Sequence, residues 1–146
     1  MLTETPGAAP PALARPQATS RSFRARPPSV GEARRYLAAL MEGSRAAPDA
    51  VTCLSEVATN ALLHTRSGRR AGWFTVTVQR TPAAWRIAVR DAGGPWKPGH
   101  AGDGPGHRGL LIVAGLTARW GIEGNARTGR AVWFEISDPP CTGTAS

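Results

Sequence analysis

The chain has 146 residues, 41% of them hydrophobic, which suits one domain with a real core. No apolar run approaches the ~20 residues of a membrane span, and the Ala/Pro-rich N-terminus has no signal-peptide core. Two cysteines, Cys53 and Cys141, make no disulfide framework, so a reduced cytoplasm is the simplest location. The formal charge of +8 comes from 18 basic and 10 acidic residues. Four arginines and one glutamate put +3 of it in residues 1–28, and the rest is scattered. There is no arginine run with interleaved aromatics, so direct nucleic-acid binding is not expected, and without a long apolar run no membrane association is expected either.

Residues 1–19 carry four prolines among alanines and threonines, without apolar periodicity, and read as a disordered leader. Ser20 to Arg26 alternates weakly around Phe23 and reads as an edge strand, stopped by Pro27-Pro28. Ser29, with Glu32 three residues on, matches a capping box, and the helix it opens is expected to run to about Met41. Gly43 ends it. Pro48-Asp49 opens a second helix reaching about His64. On the helical wheel, Val51, Leu54, Ala58, Ala61 and Leu62 share one side, and Glu56, Asn60 and His64 the other.

Trp73 to Val78 alternates as a strand, Thr81-Pro82 is a turn, and Trp85 to Val89 is a second, antiparallel strand ending at Asp91. Residues 92–106 hold six glycines and three prolines and read as a long loop. Leu110 to Ala118 is apolar nearly all round, which predicts a buried helix. Short strands are expected at Arg119 to Glu123 and Ala131 to Ile136, with a flexible tail over 138–146. Trp73, Trp85, Trp120 and Trp133 lie in the strand segments and read as core or sheet-face residues. Trp96 lies in the loop, where it can cover a ligand or a partner. Helices are not interleaved singly with strands. An α+β two-layer sandwich, with helices on one face of a mixed, mostly antiparallel sheet, fits this order.

Three segments can carry chemistry. Glu56 and Asn60, at i,i+4, project from one helix face. Such a pair is either a solvated surface or a general base beside an amide oxygen able to bind Mg²⁺. Asp91, followed by Gly93 and Gly94, is either a turn residue or a carboxylate accepting a hydrogen bond from the amino group of adenine, with glycines that let the backbone approach the base. Gly104-Pro-Gly-His-Arg-Gly109 spells the dinucleotide fingerprint but lacks the preceding strand and the βαβ unit. Glycines at a helix start still offer free N–H groups to phosphate, and Arg108 can add charge-assisted contacts. The three histidines have no metal-ligand spacing with the cysteines, and no zinc site is expected.

These segments occur in a telling order. Leu54 to His64 resembles the asparagine box of the GHKL ATPase superfamily. Val89 to Gly94 resembles its first glycine box, His107 to Leu116 its second, and Gly129 to Glu135 its closing strand. The resemblance covers residues 20–137 and is nearest to single-domain anti-sigma factor serine kinases and related actinobacterial ATP-binding regulators. It implies a Bergerat-type sandwich binding ATP and Mg²⁺. Glu56 would be the catalytic base, Asn60 the Mg²⁺ ligand and Asp91 the adenine anchor. Gly93 and Gly94 would lie near the base, His107, Arg108, Gly109 and Leu110 near the phosphates, and residues 95–106 would form a lid.

The activity so implied is a serine/threonine protein kinase that phosphorylates a serine of an anti-anti-sigma (STAS-type) protein, sequesters a sigma factor, or both. A homodimer is compatible with it. No histidine-phosphorylation domain precedes the ATP module, which argues against a complete sensor kinase. Two positions depart from the pattern. His107 stands where relatives often have glycine. Ala131 stands where the closing strand often has threonine, whose hydroxyl would support Asp91. Both departures favour the alternative, a non-catalytic interaction module on the same fold.

Overall fold

A computed structural model describes residues 17–64, 72–93, 105–125 and 127–138. The elements in chain order are β1 (Gln17–Arg24), α1 (Pro27–Leu40), α2 (Ala47–His64), β2 (Trp73–Arg80), β3 (Ala84–Asp91), α3 (Pro105–Leu116), β4 (Arg119–Asn125) and β5 (Gly129–Ser137). The five strands form one sheet in the order β1-β2-β3-β5-β4. Every pairing is antiparallel, so the sheet is not mixed.

Alternation along the strands sorts the sheet into two faces. Phe74, Val76 and Val78 of β2, Ile87 and Val89 of β3, and Val132, Phe134 and Ile136 of β5 are buried. They meet Ala33 and Leu37 of α1 and Cys53, Leu54, Val57, Ala58 and Ala61 of α2 in one core. Phe23 of β1 stacks on Phe74 at 5.5 Å between ring centroids and meets Tyr36 of α1 edge-on at 5.8 Å. The opposite face carries half-exposed polar residues. There Arg86 lies over the Trp133 ring at 4.0 Å and pairs with Glu135 at 3.1 Å. Trp133 lies flat because Gly121, its partner on β4, has no side chain: a Cβ there would stand 2.8 Å from the indole.

Several expectations change. β1 starts at Gln17, so residues 17–19, read as leader, belong to the sheet. Ser29 does not cap α1. The cap position is Arg26, without a side-chain hydrogen bond, and Pro27 and Pro28 occupy the first turn, where fixed φ and a missing N–H cost nothing. Ser29 is instead buried within that turn. α3 is not buried all round: Leu110 and Val113 enter the core, whereas Leu111 is 61% exposed. Cys53 is a free, buried thiol. Burial, with help from Asp49 and Glu56, pushes its pKa up to about 12. Cys141 and Trp96 lie outside the described residues.

Asp138, assigned to the tail, is a junction. Its Oδ2 accepts from Trp85 Nε1 at 2.7 Å, Ser44 Oγ at 2.8 Å and Arg80 Nη1 at 3.2 Å. Its own N–H donates to the Ala83 carbonyl at 2.9 Å. One carboxylate thus ties the α1–α2 connection to the β2–β3 hairpin and the end of β5. These donors hold the Asp138 carboxyl below its ordinary 3.8, the Trp85 and Ser44 bonds first. A depressed folded-state pKa stabilises the protein above the unfolded value, and that contribution is lost as pH falls through the folded one. Stability is therefore expected to drop below about pH 4, with a shallower slope in Asp138→Asn. Asp138→Ala should cost about 1.5–3 kcal/mol at neutral pH, the range for hydrogen bonds to a charged group. Urea titrations across pH 3–7 measure both, and parallel pH profiles for wild type and Asp138→Asn would contradict the assignment.

Candidate active site

The antiparallel pairing of β3 with β5 brings the last residue of β3 beside the first residues of β5, and Asp91 stands opposite Arg130. Asp91 shares the inward parity of Ile87 and Val89 and is buried. Its Oδ1 accepts from the Gly93 N–H at 2.6 Å, a tight turn that Gly93 closes with φ 80°. Burial raises the Asp91 pKa. The Gly93 N–H, then Arg130 and Arg90, oppose that rise. Gly129 (φ 111°) makes the close strand approach possible: a Cβ there would stand 2.9 Å from the Asp91 carbonyl oxygen.

Glu56 and Asn60 lie on the side of α2 that the helical wheel left outside the core. They are not a solvated face. α3 packs along α2 and brings its fifth residue, Gly109, over them. A Cβ on Gly109 would stand 2.9 Å from Glu56 Oε1, 3.2 Å from Glu56 Cβ and 3.7 Å from Asn60 Nδ2. Glu56 stays half-buried, while Asn60 is 3% exposed. Asn60 Nδ2 is buried with no hydrogen-bond partner among the described residues.

An orphan buried amide costs stability, on the order of 1–3 kcal/mol, so its presence calls for a reason. A half-turn of the amide exchanges its oxygen and nitrogen. The oxygen then stands in the same buried position beside a carboxylate, a donor set that suits Mg²⁺. Asn60 would hold the ion, and ATP phosphates and water would complete its shell.

The structure thus brings Glu56, Asn60, Gly109 and the adjacent buried Leu110 together, and places Asp91 and Gly93 at the end of β3, against which α2 also packs. His107 and Arg108 lie in the first turn of α3 by their backbone. Gly94 lies outside the described residues, as do residues 95–104 of the expected lid; 105 and 106 are already helix.

The reading of Ala131 needs correcting. Ala131 is opposite Arg90 and Glu123, on the parity of Trp133 and Glu135, so its β-carbon leaves the sheet away from the helix layer. A hydroxyl at this position would not support Asp91. The residue that faces Asp91 is Arg130, which the sequence reading passed over. Its signal was parity: Arg130 is two residues before Val132 and four before Phe134, on the inward side.

Gly109→Ala tests the closeness of the two helices. The added methyl should displace the Glu56 carboxylate, lower stability by about 1–2 kcal/mol and weaken Mg-ATP binding. Denaturant melts and calorimetry measure the two effects; unchanged ATP affinity would show that this contact is not part of the site.

The family described as histidine kinase-like ATPase domain matches residues 23–136, from the end of β1 to the end of β5. No curated protein matches the chain. The match spans the sheet and all three helices, and the α+β architecture is that of the family. The chain belongs to the histidine kinase-like ATPase domain family, a membership that implies ATP binding.

Proposed function

We propose that this chain is an ATP-binding regulator of the anti-sigma factor serine kinase type. The observation that carries the proposal is the buried Asn60 Nδ2, without a hydrogen-bond partner among the described residues, beside Glu56, both closed over by Gly109 near the start of α3. Surface polar pairs at i,i+4 have no reason to be enclosed in this way. The family match supplies the nucleotide, and Asp91 with its Gly93 turn supplies an acceptor for the amino group of adenine.

In the proposed reaction, the γ-phosphoryl group of ATP passes to the hydroxyl oxygen of a serine on an anti-anti-sigma (STAS-type) partner. The bond to ADP breaks as the bond to serine forms. Glu56 takes the serine proton, a role worth roughly 10²–10⁴ in rate. Mg²⁺, held through Asn60, would neutralise charge on the phosphate oxygens. Asp91 orients the base and discriminates against guanine, which would present a carbonyl to a carboxylate. Sequestration of a sigma factor is the second arm of the proposed role.

A non-catalytic interaction module on the same fold is the second reading. The exposed Leu63 (58%) and Leu111 (61%) on α2 and α3 favour it as apolar surface for a partner. Ala131 no longer counts for it, since that residue faces away from the helix layer.

Two variants separate the readings. Glu56→Ala should bind Mg-ATP like the wild type and lose phosphotransfer by about 10²-fold or more. Asp91→Asn should weaken ATP binding while leaving the thermal midpoint near that of the parent. Calorimetry gives the affinities, and transfer of labelled γ-phosphate to a STAS-type acceptor gives the rate. Undiminished transfer in Glu56→Ala would remove Glu56 as the base, and no transfer by the wild type would leave the non-catalytic reading in place.

A further inference from the structure

Arginine is rarely buried unless something holds its charge. Arg130 is 7% exposed and lies on the inward side of β5, in line with Val132, Phe134 and Ile136. Its two cross-strand neighbours are known from the register. On the β4 side it faces Gly124, which has no side chain. On the β3 side it faces Asp91. Directly opposed residues in an antiparallel pair have Cβ atoms about 4.5–5.5 Å apart, so these two side chains share one space.

The other acids near β5 are engaged elsewhere. Glu123 and Glu135 belong to the outward parity, where Arg86 lies 3.7 Å from the first and 3.1 Å from the second, and Arg119 lies 2.8 Å from Glu135. Arg90 also points outward, away from the helix layer, by the alternation of β3. Asp91 is the acid that the register sets directly opposite Arg130. Arg130 is therefore a cation on the inner face beside Asp91.

We propose that Arg130 is a specificity-determining residue of the nucleotide site, which keeps Asp91 an acceptor-only carboxylate and so makes the site read an amino group on the base. The inference rests on the ATP-site reading above and adds to it a residue outside the three motifs. A guanidinium cannot lose its proton at any relevant pH, so it favours the ionised form of its neighbour. A protonated Asp91 would carry a donor and would accept the carbonyl of guanine as readily as the amino group of adenine. With Arg130 beside it, only the acceptor is presented. The residue acts through Asp91 and is a positioning residue, with no part in phosphoryl transfer.

The test compares wild type, Arg130→Met, Arg130→Gln and Arg130→Lys by calorimetry with ATP, GTP and inorganic tripolyphosphate, and each protein is checked by thermal melting. Arg130→Met should weaken ATP binding by about tenfold or more and narrow the preference for ATP over GTP. It should leave tripolyphosphate binding unchanged, and Arg130→Lys should restore most of the ATP affinity. If the Met variant does not fold, Arg130→Gln, equally uncharged but polar, is read in its place. ATP binding at wild-type strength in the uncharged variant would overturn the inference and leave the ATP site intact. Equal loss of ATP and tripolyphosphate would also overturn it, because Arg130 would then be a phosphate contact. A wild type that binds no ATP would sink the site reading and this inference together.

Discussion

The start of α3 lies so close to α2 that a Cβ at position 109 would stand 2.9 Å from Glu56 Oε1 and 3.2 Å from Glu56 Cβ, and Glu56 would have to shift to admit it. This approach decides what the polar side of α2 is. Without α3 over them, Glu56 and Asn60 would be a wet helix face at ordinary spacing. With Gly109 in place, Asn60 is buried and Glu56 half-buried, and the N-terminal part of α3 is packed against a carboxylate and an amide. An isolated helix terminus attracts anions weakly; in the proposed site, the amide of Asn60 beside it would let a phosphate and its metal be held together.

The two ends of the sheet are built differently. At one end, where β3 begins and β5 finishes, Asp138 gathers Trp85, Ser44 and Arg80 onto one oxygen. At the other, roughly 24 Å away along an eight-residue strand, stand Asp91 with Gly93, and Gly129 with Arg130. The first end is bonded through Asp138, whose Oδ2 takes three side-chain donors and whose N–H donates to the Ala83 carbonyl. The second buries an aspartate and an arginine and places glycines where backbones must approach. Burying charged groups costs stability, and such groups are tolerated where they serve a site. The well-bonded end and the apolar inner face hold the sheet while the other end carries the site.

Much of this was legible in the residues. Strand alternation located β2 and β3, and the 3.6-residue period located α2 with its polar line. The order of the asparagine and glycine segments identified the superfamily. What was not legible depended on tertiary placement. The wheel set Asn60 opposite the core residues, and only the packing of α3 explains its burial. The apolar run from Leu110 suggested a helix buried all round. In fact one side of α3 covers α2 and the core, and Leu111 is left outside. The Ser29-Glu32 pattern suggested a cap, but two prolines started the helix earlier, because Pro is already shaped for the first turn.

The closing strand shows how register, more than composition, determines chemistry. By resemblance to the family's closing strand, Ala131 marked a missing hydroxyl beside Asp91. The pairing of Asp91 with Arg130 moves Ala131 to the outer face, and with it the argument that the pocket is defective. A shift of one residue on a strand exchanges inside for outside. The same register brings the buried Arg130 opposite Asp91. What distinguishes this end of the sheet is therefore a buried cation next to a buried carboxylate, an arrangement that residue spacing alone does not reveal.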